Sequence, residues 1–497
     1  MKSLIVLVEF LNKNRIKHID ALGTDTMLQE FYDGLISGKL IDNNVAMNHF
    51  FPKADKYQLP YFNRLKRRLK ERLLNLLFLV DFNQAQYTSQ QTAYYTCYRN
   101  LAAIKTMIGR FLRKPAIELA EQTIKIAQEY EFADIVFHLA RELRSHYSSI
   151  ENNKKKYAYY NQLVEDHLKL QIAEVKAENY HAEISSYFNQ NRALPIGILD
   201  KVIAYAEELK TYTFSYSSYR LNLLSFLIFA LRYEIENDAI NTIRVCKEAL
   251  TFFENKNQTS LSVKFNFLNK MISSQIKIKQ YDEAESIINK NILNFDPGTL
   301  NHYYVIEYYL ILCFYTKNYQ KGYGIYTKLI SDPLSDRYPL HIKEHVQVFG
   351  AIFQYLYLFS AVEIPVETAK NYRVSKFLNA MPTYERDKRG INITILILQI
   401  LFLLHQKKYS SIIDRVEPLN TYSYRYLRND ETYRSNCFIK ILLQLPKSDF
   451  NKKAFLRHSD GFYQKLLDMP IEKAKQGNEV EIIPYETLYE FVLASIE

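Results

Sequence analysis

IKIKQYDEAESII (276–288) and CFYTKNYQKGYGIY (313–326) are two versions of one phrase. They align Lys279 with Lys317, Tyr281 with Tyr319 and Ala284 with Gly322, at an offset of 38 residues. A third version, LLHQKKYSSII, centres on Tyr409. Each reads as the end of one helix, a polar turn, then a second helix with a small residue near its start. Helix breakers follow at Asp296–Pro297–Gly298 and at Asp332–Pro333, where a two-helix unit should close, because proline cannot continue a helix. The phrase therefore predicts helix pairs stacked in series, since one pair alone cannot bury its apolar face.

The same pattern extends outward. Ile117, Ala120, Ile124 and Ala127 share one stripe, and Ala133, Val136, Ala140, Leu143 and Tyr147 share the next. The turn Gln128–Glu131 between them is short, so the two helices should be antiparallel neighbours, and the alanines allow close approach. After Lys154, Lys155 and Lys156 the pattern predicts a long helix to about Asn189, broken by Asn191, Arg192 and Pro195. Leu221, Leu224, Ile228 and Leu231 mark one further helix, and Ala239, Ile243, Cys246, Ala249 and Leu250 another.

On the turn Tyr281-Asp282-Glu283-Ala284 and the closing prolines, residues 240–335 resemble the tetratricopeptide repeat, and the rest of the chain follows by analogy. The departures are specific. That family places a small residue inside the first helix, where this chain has Ile272 and Leu310, and the spacing here is nearer 38–45 residues than the family's roughly 34. Longer, irregular pairs and a distorted superhelix are the expectation. The resemblance implies protein or peptide recognition on a concave face, for which Tyr304 and Tyr308 in HYYVIEYYL are the candidate contributors. Tyr303 and Tyr309 cannot share that face with them, so at least two of these tyrosines must enter the core.

Composition agrees with an all-α chain of binding type. Only 12 Gly and 13 Pro occur in 497 residues, too few for glycine-rich phosphate loops or the many turns of an all-β fold. At 48% hydrophobic and 24% charged, the chain can build a large core. Its 41 Tyr and 30 Phe, with no Trp, read first as a coding bias and second as a sticky surface. Cys97, Cys246, Cys313 and Cys437 are scattered, which argues against a disulfide framework and for a reducing, cytoplasmic setting. The opening MKSLIVLVEFLNKN reads as an amphipathic helix, since Glu9 interrupts its apolar run. Ile391–Leu404 is the most apolar stretch, but it falls short of the ~20 residues a membrane span needs and reads as a buried helix.

Charge is concentrated at one end. Residues 1–115 hold 18 Lys+Arg against 9 Asp+Glu, while the remainder holds 46 against 45. The centre is NRLKRRLKERLLNLLF, where Arg64, Lys66, Arg67, Arg68, Lys70 and Arg72 surround a stripe of Leu65, Leu69, Leu73, Leu76 and Leu77. Such a helix can be a solvated face, dock an acidic protein, or contact nucleic-acid phosphates. The preceding TDTMLQEFYDGLISGKLIDNNVAMNHFFP reads as helix, turn, helix, which makes residues 1–115 a basic helical module of helix-turn-helix-like order.

No phosphate loop, GxGxxG or GxSxG signature occurs, and Gly322-x-Gly324 lies inside a predicted helix, where a close-packing contact explains it better. His341-Ile342-Lys343-Glu344-His345 fits the HxxEH pattern of inverted zinc peptidases: His341 and His345 share a helical face, Glu344 would polarise a water, and Glu417 is the third ligand by distance alone. That fold is an α/β sandwich, which this region does not resemble. His138, His181 and His405 are isolated, and Glu207-Glu208 has no recognisable acid–base partner.

The sequence is thus read as all-α: stacked antiparallel helix hairpins forming a tetratricopeptide-like solenoid over 116–497, with the basic module at 1–115. Its expected role is a non-enzymatic scaffold without cofactor or transmembrane segment that binds a protein or peptide. A nucleic-acid-associated regulator and a zinc peptidase are the alternatives.

Overall fold

The computed structural model describes residues 1–14, 25–52, 58–82, 87–190, 198–256, 260–291, 294–380, 391–427, 432–475 and 481–496. Among these residues the chain is helical throughout, with no strand, and no helix is long and apolar enough to cross a membrane. The breaker at Asn191–Pro195 lies outside the described residues. The chain divides into two compact units, Met1–Gln171 and Ile172–Glu497, and the division falls within the long helix Lys154–Gln190.

The first unit holds two cores. Helices Lys2–Lys13, Thr26–Ile36, Asn43–Phe50 and Leu59–Leu76 close one around Leu4, Val8, Phe31, Phe62 and Leu69. The amphipathic first helix buries Leu4, Val8 and Leu11, as its spacing predicts. Helices Ser89–Gly109, Arg113–Glu129 and Ala133–Ser149, with the start of Lys154–Gln190, enclose the other around Ile124, Ala127, Val136 and Leu143.

In the second unit consecutive helices again pack as neighbours. Leu261–Lys277 and Tyr281–Asn291 form one pair, Leu300–Tyr315 and Tyr319–Ser331 the next, and Ile391–His405 pairs with Tyr409–Tyr426. First helices of successive pairs touch, Leu261–Lys277 against Leu300–Tyr315 for example. The apolar stretch at 391 is a buried helix: Ile393, Leu401, Phe402 and Leu404 are shielded from solvent. Gly322 makes the expected close contact, since a Cβ there would lie 3.1 Å from Cys313 Cβ and 3.3 Å from Phe353 Cζ. A Cβ at Gly324 would meet nothing.

The repeated phrase has one backbone. Lys279, Lys317 and Lys407 all adopt left-handed φ, at 62°, 55° and 54°. The next residue's N–H then bonds the carbonyl five positions back: Gln280 to Gln275 at 2.9 Å, Asn318 to Cys313 at 2.8 Å, Lys408 to Leu403 at 3.0 Å. This is the Schellman closure, which satisfies a helix-end carbonyl and turns the chain sharply. The following residue, Tyr281, Tyr319 or Tyr409, opens the next helix. Phe111, Glu131 and Asn237 make the same turn, at φ 64°, 55° and 63°.

None of these six positions is glycine, although a side chain in the left-handed region costs about 1–2 kcal/mol. Phe111 is 95% exposed, so its ring adds no packing to offset that strain. Phe111→Gly should therefore stabilise the protein by about 0.5–1 kcal/mol, the strain relieved less the chain entropy glycine adds to the unfolded state. The check is an upward shift in urea midpoint; a downward shift would mean that the exposed ring holds the turn.

The tyrosines have a shared use between neighbouring helices. Glu208 is clasped by Lys176, Tyr180 and Tyr212, and Glu183 by Lys201 at 2.8 Å and Tyr205 Oη at 2.7 Å. The Tyr180 and Tyr205 rings stack 3.8 Å apart between the two clasps. Glu121 with Tyr147 and Lys156, and Glu285 with Tyr309 and Lys321, repeat the arrangement. The ring fills apolar space while its hydroxyl donates to the carboxylate. The ammonium of Lys176 holds the Glu208 carboxyl below its ordinary range, and that of Lys201 does the same for Glu183.

Candidate functional site

Helix Leu59–Leu76 buries Phe62, Leu65, Leu69, Leu73 and Leu76 on one side, against Lys2–Lys13 and Thr26–Ile36. Its cations consequently point away from the core: Arg64, Arg67, Arg68, Lys70 and Arg72 are exposed and Lys66 is half-buried. Some hold the unit together. Arg68 Nη2 lies 2.6 Å from Asp25 Oδ2, and Asp25 also caps helix Thr26–Ile36. Lys66 donates to Asn43 Oδ1 at 2.9 Å and lies over the Phe62 ring. Arg67 pairs with Glu71 at 3.7 Å, an exposed contact worth little. Arg64 and Lys70 have no ion pair among the described residues. The neighbouring helix Asn43–Phe50 is anchored by Phe50 on Phe31, 5.2 Å between ring centroids, and by His49 to Glu30 at 2.7 Å.

In the second unit an open groove of about 820 Å³ runs beside helix Ala239–Glu254. Asp238 caps that helix by accepting from Asn241 N at 2.9 Å. One face buries Val245, Cys246, Ala249 and Phe253. The opposite face carries Ile240, Arg244, Lys247 and Thr251, one turn apart, into the groove. Phe226, Ile243, Phe252 and Ile278 add apolar wall, and Glu248, Asn255 and Gln280 add polar groups. Helix Tyr219–Glu236 contributes Phe226 to the groove's wall, and the turn after Leu261–Lys277 contributes Ile278 and Gln280. Ile240 is 71% exposed. At the rim Arg244 is held by Glu248 at 2.7 Å, whereas Lys247 has no ion pair among the described residues.

The tyrosine quartet divides as helical geometry requires. Tyr303 and Tyr309 are buried, with hydroxyls donating to Glu307 at 3.1 Å and Glu285 at 3.0 Å. Tyr304 and Tyr308 are half-buried and pack against the same core. His341 is exposed at the start of helix Leu340–Leu358, and His345 Nδ1 lies 3.5 Å from Glu307 Oε1, a residue outside the HxxEH motif. Among the described residues no group of three or more His, Cys, Asp or Glu side chains is placed to hold a metal ion.

Sequence reading missed two features. The groove residue Ile240 lies off the core stripe; an apolar residue on the exposed helical face was the available signal. Arg434 is the other. It is 1% exposed and donates to Glu481 twice, at 2.8 and 2.7 Å, to Glu486 at 2.9 Å, and to the carbonyls of Leu466 and Met469 at 3.0 and 2.7 Å. Nothing in its sequence surroundings distinguishes it from a surface arginine. No protein-family model, curated protein or solved structure matches the chain.

Proposed function

We propose that this chain is a protein- or peptide-binding scaffold, a tetratricopeptide-like array of helix hairpins preceded by a basic helical module. The groove along Ala239–Glu254 carries the reading: it is open, apolar-walled and long enough for several side chains of a peptide, and it leaves Ile240 in water. A binding groove for peptide side chains needs apolar groups gathered in one open cleft, and Phe226, Ile240, Phe252 and Ile278 lie together here. The resemblance points to the concave face. In this chain the open surface is offered instead by the second helix of a pair, while Tyr304 and Tyr308 are largely committed to packing.

The test is selection of displayed twelve-residue peptides on the full chain, with affinities then measured on Ile240→Glu. Covering an isoleucine side chain contributes about 1.5–3 kcal/mol, so the substitution should weaken selected peptides about ten- to a hundredfold. Because Ile240 is exposed in the first turn of its helix, where an acidic side chain is favoured, the variant should fold normally. Peptides that bind both forms equally, or no enrichment at all, would remove the groove as the binding site.

A further inference from the structure

The exposed side of helix Leu59–Leu76 is not uniformly basic. At 100° per residue, Arg64, Arg67, Glu71, Leu74 and Phe78 fall on one ridge, opposite the buried Leu65, Leu69, Leu73 and Leu76. Phe78 belongs to the 3₁₀ turn Leu77–Leu79 that continues the helix directly. The ridge is about 21 Å long, fourteen residues at about 1.5 Å each. Its first half carries Arg64 and Arg67 with Glu71, which pairs with Arg67 at 3.7 Å, so that half keeps a net positive charge. Its second half is apolar, with Leu74 41% and Phe78 53% exposed. Across the whole exposed side, Arg64, Arg67, Lys70 and Arg72 face outward with Glu71 as the one acid, Arg68 being neutralised by Asp25.

We propose that this ridge is a second docking surface, and that its partner is an acidic protein segment carrying large apolar side chains two to three turns from its carboxylates. The division of the ridge argues for protein over nucleic acid. A phosphate backbone presents charge along its whole length and gains nothing from Leu74 or Phe78, whereas cations that steer and apolar anchors that hold are the usual halves of a protein interface. A lipid surface is a poor fit as well, because the helix's broad apolar face is already committed to the core and only the ridge's end is free. This surface belongs to the first unit and is separate from the groove, so its failure would leave the groove reading standing, and the reverse.

The experiment uses the full chain and a fluorescein-labelled sixteen-residue helical peptide. One half of the peptide carries Glu and Asp, and the other carries Leu and Phe on the same face. Parallel titrations use a 16-base-pair DNA, a 16-nucleotide RNA, and vesicles containing phosphatidylserine. Two double variants are compared, Arg64→Glu with Arg67→Glu, and Leu74→Ser with Phe78→Ser; all four positions are exposed, and far-UV circular dichroism checks that each folds. The peptide should bind, and each double variant should weaken it at least about tenfold, with only the charge-dependent loss shrinking as salt rises. The inference is overturned if the peptide does not bind. It is equally overturned if DNA, RNA or vesicles bind more tightly than the peptide, or if the Leu74/Phe78 variant binds the peptide as wild type does.

Discussion

Replacing Arg434 by alanine should destabilise the second unit by about 3–5 kcal/mol, because it removes the guanidinium that compensates the buried Glu481 carboxyl. Both side chains are 1% exposed. Burial pushes the Glu481 carboxyl up, and the guanidinium draws it back by a two-pronged hydrogen bond. The same guanidinium reaches Leu466 and Met469 at the end of helix Lys452–Asp468, and Glu486 in helix Tyr485–Ser495. Three segments distant in sequence thus converge on one side chain, and losing it orphans acceptors in two of them. The measurement is a urea midpoint together with amide exchange in Tyr485–Ser495, the helix that should open first. A loss below about 1 kcal/mol would mean that water or a rearranged side chain replaces the guanidinium. The double variant Arg434→Met with Glu481→Leu should recover part of the loss, since it removes the uncompensated carboxyl while the Leu466 and Met469 carbonyls still lose the guanidinium.

Leu310→Ala should lower stability by about 2–5 kcal/mol. Leu310 is fully buried in helix Leu300–Tyr315, and Ile272 holds the corresponding place in Leu261–Lys277, where it is 2% exposed. These are the positions at which the resembling family keeps a small residue. If the first helices of this chain stand apart because leucine and isoleucine fill the gap, alanine leaves a cavity that the surrounding helices cannot close. The conservative Leu310→Met should cost less than about 1.5 kcal/mol. The pair is compared by urea denaturation and by amide exchange within Leu300–Tyr315. An alanine variant as stable as the methionine one would show that the helices can close onto a small residue here, and that the large side chain is incidental to the spacing.

Much of the scaffold was legible. The alignment of Lys279, Lys317 and the later Lys407 reflects a backbone requirement: each supplies the left-handed residue of the same hairpin turn. Phe111, Glu131 and Asn237 make that turn too, yet share no side-chain chemistry with the lysines. The turn is fixed by φ and a carbonyl bond, not by a residue type, so sequence similarity could reveal only some of its occurrences. The leucine stripe of the basic helix was equally readable, because helical period alone sends Leu65, Leu69 and Leu73 to one side. The apolar end of the exposed ridge was not singled out, since Leu74 and Phe78 look like further core residues until the neighbouring helices are in place.

By itself, then, the amino-acid sequence determined the helices, the principal hairpin turns, the buried stripe of each amphipathic face and the lopsided charge, because these follow from local backbone preference and a period of 3.6 residues. Tertiary structure alone decided that Ile240 stands in an open groove, that tyrosine hydroxyls clasp carboxylates between helices, and that Arg434 is interior. Each of those depends on which helix comes to lie beside which. That pairing is set by the summed packing of residues tens or hundreds of positions apart, and no local pattern in the chain encodes it.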